Sequence, residues 1–183
     1  MNSFTNILLC LYVATVSTVV LPELHVIKQA TFKYPYSCQP QPIKYENCAL
    51  FLTQYGVSHN APDLLYNGAC GSDNVFDVML AGSNFGMLSD LGDVPLETVS
   101  ASKAFNYNRT VGQDNEFVDS IPVVKGHTYA AVLAKSDIRA LFVFRVDSYE
   151  RSGPAVISYA VKQYAMMQVV QEAPGFDWDA PNH

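Results

Sequence analysis

Residues 127–147, HTYAAVLAKSDIRALFVFRVD, decide the fold class. In the second half Ala140, Phe142, Phe144 and Val146 fall on one side of an extended chain, and Leu141, Val143, Arg145 and Asp147 fall on the other. Successive side chains of extended backbone point to opposite faces, so this period of two predicts a half-buried strand. In the first half, from His127 to Lys135, Tyr129, Ala131 and Leu133 alternate with Thr128, Ala130, Val132 and Ala134. Ser136-Asp137 sit between the halves, and short polar side chains of this kind bond local backbone and favour a turn. A short connection makes the two runs antiparallel neighbours.

The pattern continues on both sides. Arg151-Ser152-Gly153-Pro154 break the chain, and a last strand is expected from Ala155 to about Val170, through Val156, Ile157, Tyr159, Val161 and Tyr164. The three runs form a C-terminal meander. Upstream, Phe117 to Val124 is a short β-prone run closed by a Lys125-Gly126 turn. His25 to Tyr34, Cys48 to Val57 and Val75 to Ala81 read as further strands. A short helix is placed near 95–105, with Glu97 early and Lys103 late as the helix dipole prefers. Its apolar spacing is poor, and a loop is the alternative. Some six to eight strands predict an all-β, mainly antiparallel fold, a β-sandwich or an open barrel.

One short segment, Val124-Lys125-Gly126-His127-Thr128-Tyr129, resembles the corner of a β-sandwich at which a tyrosine hydroxyl bonds backbone. Gly126 and Tyr129 are accordingly read as architecture. The resemblance spans six residues and names no family.

The N-terminus carries an address. The first 27 residues contain no Lys or Arg, and Ile7 to Leu21 is apolar apart from Thr and Ser. The run is followed by small residues near Ser17 and Thr18, which is how a secretory signal ends at its cleavage site. The expected division is a signal peptide at 1–18, one β-rich domain with a Cys-bearing N-terminal segment at 19–172, and an extended tail at 173–183 that holds Trp178. An uncleaved signal anchor is the rival, though the run up to Pro22 is shorter than the roughly 20 residues of a spanning helix. A lipid-anchored Cys10 would need a small residue where Leu9 stands.

Composition limits partners. Hydrophobic residues make up 49% of the 183 and charged ones 15%, which argues for a packed core. A net charge of −6 with no three basic residues adjacent disfavours nucleic acid and a polybasic membrane patch. In an oxidising compartment Cys38, Cys48 and Cys70 are disulfide candidates. Three pairings are open, with Cys38–Cys48 preferred for its short loop bent by Pro40 and Pro42, and the third thiol buried.

The chemistry-bearing residues are scattered. His25, His59, His127 and His183 have no metal-ligand spacing. Gly82-Ser83-Asn84-Phe85-Gly86 fails the nucleophile-elbow spacing, and its glycines read as turns. Cys70 as a thiol nucleophile paired with His59 or His127 ranks behind a disulfide. Asp73, Asp77, Asp90 and Asp93 form one acidic cluster and Asp114, Glu116 and Asp119 another. The first is where a weak Ca²⁺ site is sought, although neither follows an EF-hand pattern and solvated loop charge explains both. Otherwise no cofactor is expected. Asn108-Arg109-Thr110 is a glycosylation sequon.

These readings add up to a secreted, non-enzymatic β-domain that binds protein or glycan at an extracellular surface or serves structurally. A secreted hydrolase whose site is assembled by the fold, including a carboxylate pair acting on glycosides, is the competing class. A carrier that lines a pocket for a small apolar ligand with its Phe and Tyr is the third.

Overall fold

The computed structural model describes residues 22–52, 62–78, 85–106, 118–135 and 138–166. In chain order its strands are β1 (Lys28–Phe32), β2 (Ala49–Leu50), β3 (Leu64–Asn67), β4 (Val75–Asp77), β5 (Phe85–Asp90), β6 (Ser120–Pro122), β7 (Thr128–Ala134), β8 (Ile138–Tyr149) and β9 (Ala155–Met166). A helix, α1 (Ala101–Asn106), lies between β5 and β6, and single 3-10 turns occur at Tyr36–Cys38, Tyr45–Asn47 and Leu96–Thr98. The strands make a five-stranded sheet, ordered β1-β9-β8-β7-β5, and a four-stranded sheet, ordered β2-β3-β4-β6. Every strand pair is antiparallel. The fold is an all-β sandwich of two sheets and not a closed barrel. β7, β8 and β9 are the expected meander.

The core between the sheets is aromatic. Phe142, Phe144 and Val146 of β8 join Tyr129 and Leu133 of β7, Phe32 of β1, and Tyr66 and Phe76 of the small sheet. Phe144 meets Phe76 edge-on at 5.0 Å and stacks on Tyr129 at 5.1 Å, two geometries favoured by ring quadrupoles. The alternation in β8 thus sets the register. Its other face departs from the half-buried expectation, because Leu141 and Val143 are buried too. Leu91, Leu96, Val99 and Ala104 pack there with Ala130 and Ala160. The 95–105 segment is this covering layer, and its poor apolar spacing has a structural cause. It is a 3-10 turn followed by a separate helix, which starts where the Ser100 hydroxyl accepts the Lys103 N–H at 3.2 Å.

Two strands escape the sequence reading. β3 is short, and its first three residues Leu64, Leu65 and Tyr66 are all buried, so it shows no alternation. β5 includes Gly86, which the sequence reading gave to a turn. A Cβ at Gly86 would lie 3.0 Å from the Val78 Cβ and 3.2 Å from Leu133 Cδ2. Glycine is there because the two sheets approach closely, whereas Gly71, Gly92 and Gly126 do hold positive φ in turns. The chain then changes sheets beside β5. Val118 exchanges backbone hydrogen bonds with Leu88 at 2.6 and 2.8 Å, and β6 pairs with β4.

The disulfide is Cys38–Cys70, not Cys38–Cys48. Cys48 is free and buried, held where its carbonyl accepts the Tyr66 N–H at 2.7 Å. Cys38 ends a 3-10 turn that sits against the end of β3, through a 2.9 Å hydrogen bond between Ser37 Oγ and Asn67 Oδ1. That brings it to Cys70, with Cα atoms 5.2 Å apart. The third thiol is buried, as the sequence reading has it.

Candidate functional site

The two edges of the large sheet differ. β5 carries one further bridge, between Leu88 and Val118, whereas β1 pairs with β9 on one side and, among the described residues, with no strand on the other, although just past its end the Lys33 N–H donates to the Asn47 carbonyl at 2.7 Å. The approach to β1 is apolar and exposed, with Leu24 at 46%, Val26 at 46% and Ile27 at 45%. His25, at φ 63°, turns the chain there while its N–H donates to the Val161 carbonyl at 2.8 Å. Lys28 and Lys33 lie on or beside the strand, and Glu23, 3.0 Å from Lys28, is the sole carboxylate of residues 22–34. An unpaired edge presents a row of free N–H and C=O groups, which are strand-pairing chemistry. The sequence reading placed the β-prone run from His25 to Tyr34 here but did not single out its lysines.

The ends of the sandwich are tied by polar groups. Asn74 Oδ1 accepts the Tyr149 hydroxyl at 3.0 Å and the Ser152 N–H at 2.7 Å, with the Tyr66 hydroxyl 3.2 Å away. The Tyr66 hydroxyl also donates to the Gly153 carbonyl at 2.9 Å, and the Gly71 N–H donates to Ser152 Oγ at 2.7 Å. This node joins the β8–β9 hairpin to β3, β4 and the disulfide. Burial pushes the Tyr66 phenol well above its usual range, with the neighbouring Tyr149 adding to it. At the corner before β7, the Tyr129 hydroxyl donates to the Pro122 carbonyl and accepts the Val124 N–H, each at 2.9 Å. Burial, then the Asp90 charge, raise Tyr129 in the same direction. The tyrosine is architecture.

Among the described residues, the candidate catalytic and metal residues are not assembled into one centre. Asp73 pairs with Arg151 at 3.2 Å, Asp77 accepts Asn67 Nδ2 at 2.8 Å, and Asp93 pairs with Arg145 at 2.7 Å. Asp90 lies with both oxygens near His127 Nδ1, at 3.1 and 2.9 Å. Each carboxylate of the proposed Ca²⁺ cluster thus has its own partner, and among the described residues no group of three His, Cys, Asp or Glu is placed to hold a metal ion. The Asp90–His127 pair could orient an imidazole, but among the described residues no Ser, Thr or Cys side chain bonds that ring. Of the second acidic cluster only Asp119 is described, and its carbonyl accepts the Val78 N–H. His59, His183, Ser83, Asn108, Asp114, Glu116, the 1–18 signal with Cys10, and the 173–183 tail with Trp178 lie outside the described residues.

Two features went unanticipated. Lys135 and Asp63 form an ion pair inside the protein, with side chains 4% and 5% exposed. Neither residue breaks a local sequence pattern in a way that marks it. On the outer face of the large sheet an open groove of about 400 Å³ is lined in part by Val132, Ala134, Leu141 and Ala165, with Arg139 and Gln163 among its polar members. Tyr164 also lines this groove, while Phe32, Tyr66, Phe76, Tyr129 and Phe144 pack on one another between the sheets. Among the described residues no helix is long and apolar enough to cross a membrane. No family model, curated protein or solved structure matches the chain.

Proposed function

We propose that the chain is a secreted, non-enzymatic module that binds a protein partner by accepting an extended, acidic segment along the free edge of β1. The observation that carries this reading is the asymmetry of the large sheet among the described residues: Val118 bridges Leu88 of β5, whereas β1 has no strand on its outer side and is flanked by exposed Leu24, Val26 and Ile27. Strand addition draws affinity from main-chain hydrogen bonds and specificity from alternate side chains. Lys28 and Lys33, on a chain of net charge −6, select an acidic strand electrostatically. The Cys38–Cys70 bond supports an oxidising compartment, consistent with the signal-like N-terminus.

The test is an NMR titration of isotope-labelled protein with a short peptide of alternating Glu and Val. Amide shifts are expected for residues 24–33, weakening with added salt, and a Lys/Val peptide should produce much smaller changes. Shifts confined to other regions, or equal responses to the two peptides, would overturn the proposal.

A further inference from the structure

At the end of the sandwich opposite the disulfide, a lysine and an aspartate meet in a dry setting. Lys135 follows β7 of the large sheet and Asp63 precedes β3 of the small one. Nζ of Lys135 lies 2.5 Å from Asp63 Oδ1, and both side chains are about nineteen-twentieths buried. The second oxygen, Oδ2, accepts the Leu52 N–H at 2.7 Å. The Asp63 N–H donates in turn to the Leu50 carbonyl at 2.9 Å, and the Lys135 N–H donates to the Ile138 carbonyl, also at 2.9 Å. One carboxylate oxygen is therefore anchored by backbone while the other faces the amine, and both partners are fixed by strand ends.

We infer that Lys135 and Asp63 condense into an intramolecular amide that covalently joins the two sheets. A proton crossing the 2.5 Å contact turns the pair into an amine and a carboxylic acid. The Nζ lone pair then attacks Cγ, and negative charge gathers on Oδ2. The Leu52 N–H already points at that atom, as an oxyanion donor must. A proton then passes from nitrogen to Oδ1, the Cγ–Oδ1 bond breaks and water leaves. The product is a Cγ–Nζ amide plus one water, with no change of oxidation state and no other reactant.

Two physical effects favour the step. The reacting groups are held in contact by the fold, so no encounter is needed. A buried ion pair also carries the cost of desolvating two charges, which condensation removes. The amide keeps an oxygen that can still accept the Leu52 N–H, so the anchoring bond survives the reaction.

The mass of the intact, reduced protein, with its N-terminus determined independently, tests the inference. The native protein is expected one water lighter than its sequence, and digestion should release a branched peptide joining the segments around Asp63 and Lys135. Lys135→Arg, which keeps the positive charge, should restore the full sequence mass. Native protein at full mass would overturn the inference. So would a missing water whose peptide map shows no Asp63–Lys135 link, or one that persists in Lys135→Arg. The readout is independent of β1, so it stands or falls separately from partner binding.

Discussion

Replacing Phe144 and, separately, Val143 by alanine measures the two layers that β8 separates. Both side chains are fully buried, on opposite faces of one strand. Phe144 lies in the inter-sheet core with ring centroids 5.0 Å from Phe76, 5.1 Å from Tyr129 and 5.9 Å from Phe142. Emptying such a site costs about 3–5 kcal/mol, against a typical domain stability of roughly 5–15. Val143 sits under the layer formed by Leu96 and Val99. Truncating it removes two methyl groups at about 0.8 kcal/mol each and leaves a small cavity, so the loss should be about 2 kcal/mol. Urea denaturation gives both numbers as shifts in midpoint at constant slope. A small loss for Phe144→Ala would refute the register of β8. A loss below about 0.5 kcal/mol for Val143→Ala, the usual range for uncovered surface sites, would refute the outer layer.

Three further expectations rest on single sites. Gly86→Ala should destabilise by about 1–3 kcal/mol in the same assay, because its Cβ would press on Val78 and on Leu133 of the neighbouring strand β7. Burial pushes the Cys48 thiol up, so under native conditions at mildly alkaline pH it should resist alkylation and react only on unfolding. Tyr66 and Tyr129 are both raised in the folded state, so their neutral forms contribute stability that is fully present below the ordinary tyrosine range. That contribution drains away as pH climbs above about 10, where unfolded chains ionise first. Tyr66→Phe should therefore flatten the alkaline loss measured by denaturant midpoints, and an unchanged slope would contradict the linkage.

The β framework was legible wherever one face of a strand met the core and the other carried different chemistry. The stretch from Thr128 to Val146 kept a readable period although its second face is largely covered too, because Tyr129, Phe142 and Phe144 alternate with smaller side chains and Arg145. Legibility failed where that contrast was missing. Leu64, Leu65 and Tyr66 are buried on both sides, so β3 shows no period, and Gly86 resembles a turn residue until the opposite sheet is in place. The disulfide was misassigned because loop length favours neighbours in sequence, while the pairing is set by the Ser37–Asn67 contact that brings the Tyr36–Cys38 turn to β3. The acidic cluster dispersed for a similar reason. Residues near in sequence were led by different strands to Arg151, Asn67, His127 and Arg145. The openness of β1 was beyond sequence reasoning, since edge position is a property of strand order.

Intermolecular nuclear Overhauser effects between labelled protein and the unlabelled Glu/Val peptide test strand addition at β1 most directly. Strand addition should give close backbone contacts between the peptide and Gln29, Ala30 and Thr31, in the regular spacing of a paired strand. Contacts to α1, to the groove beside Arg139, or to side chains of β1 without backbone pairing would contradict it.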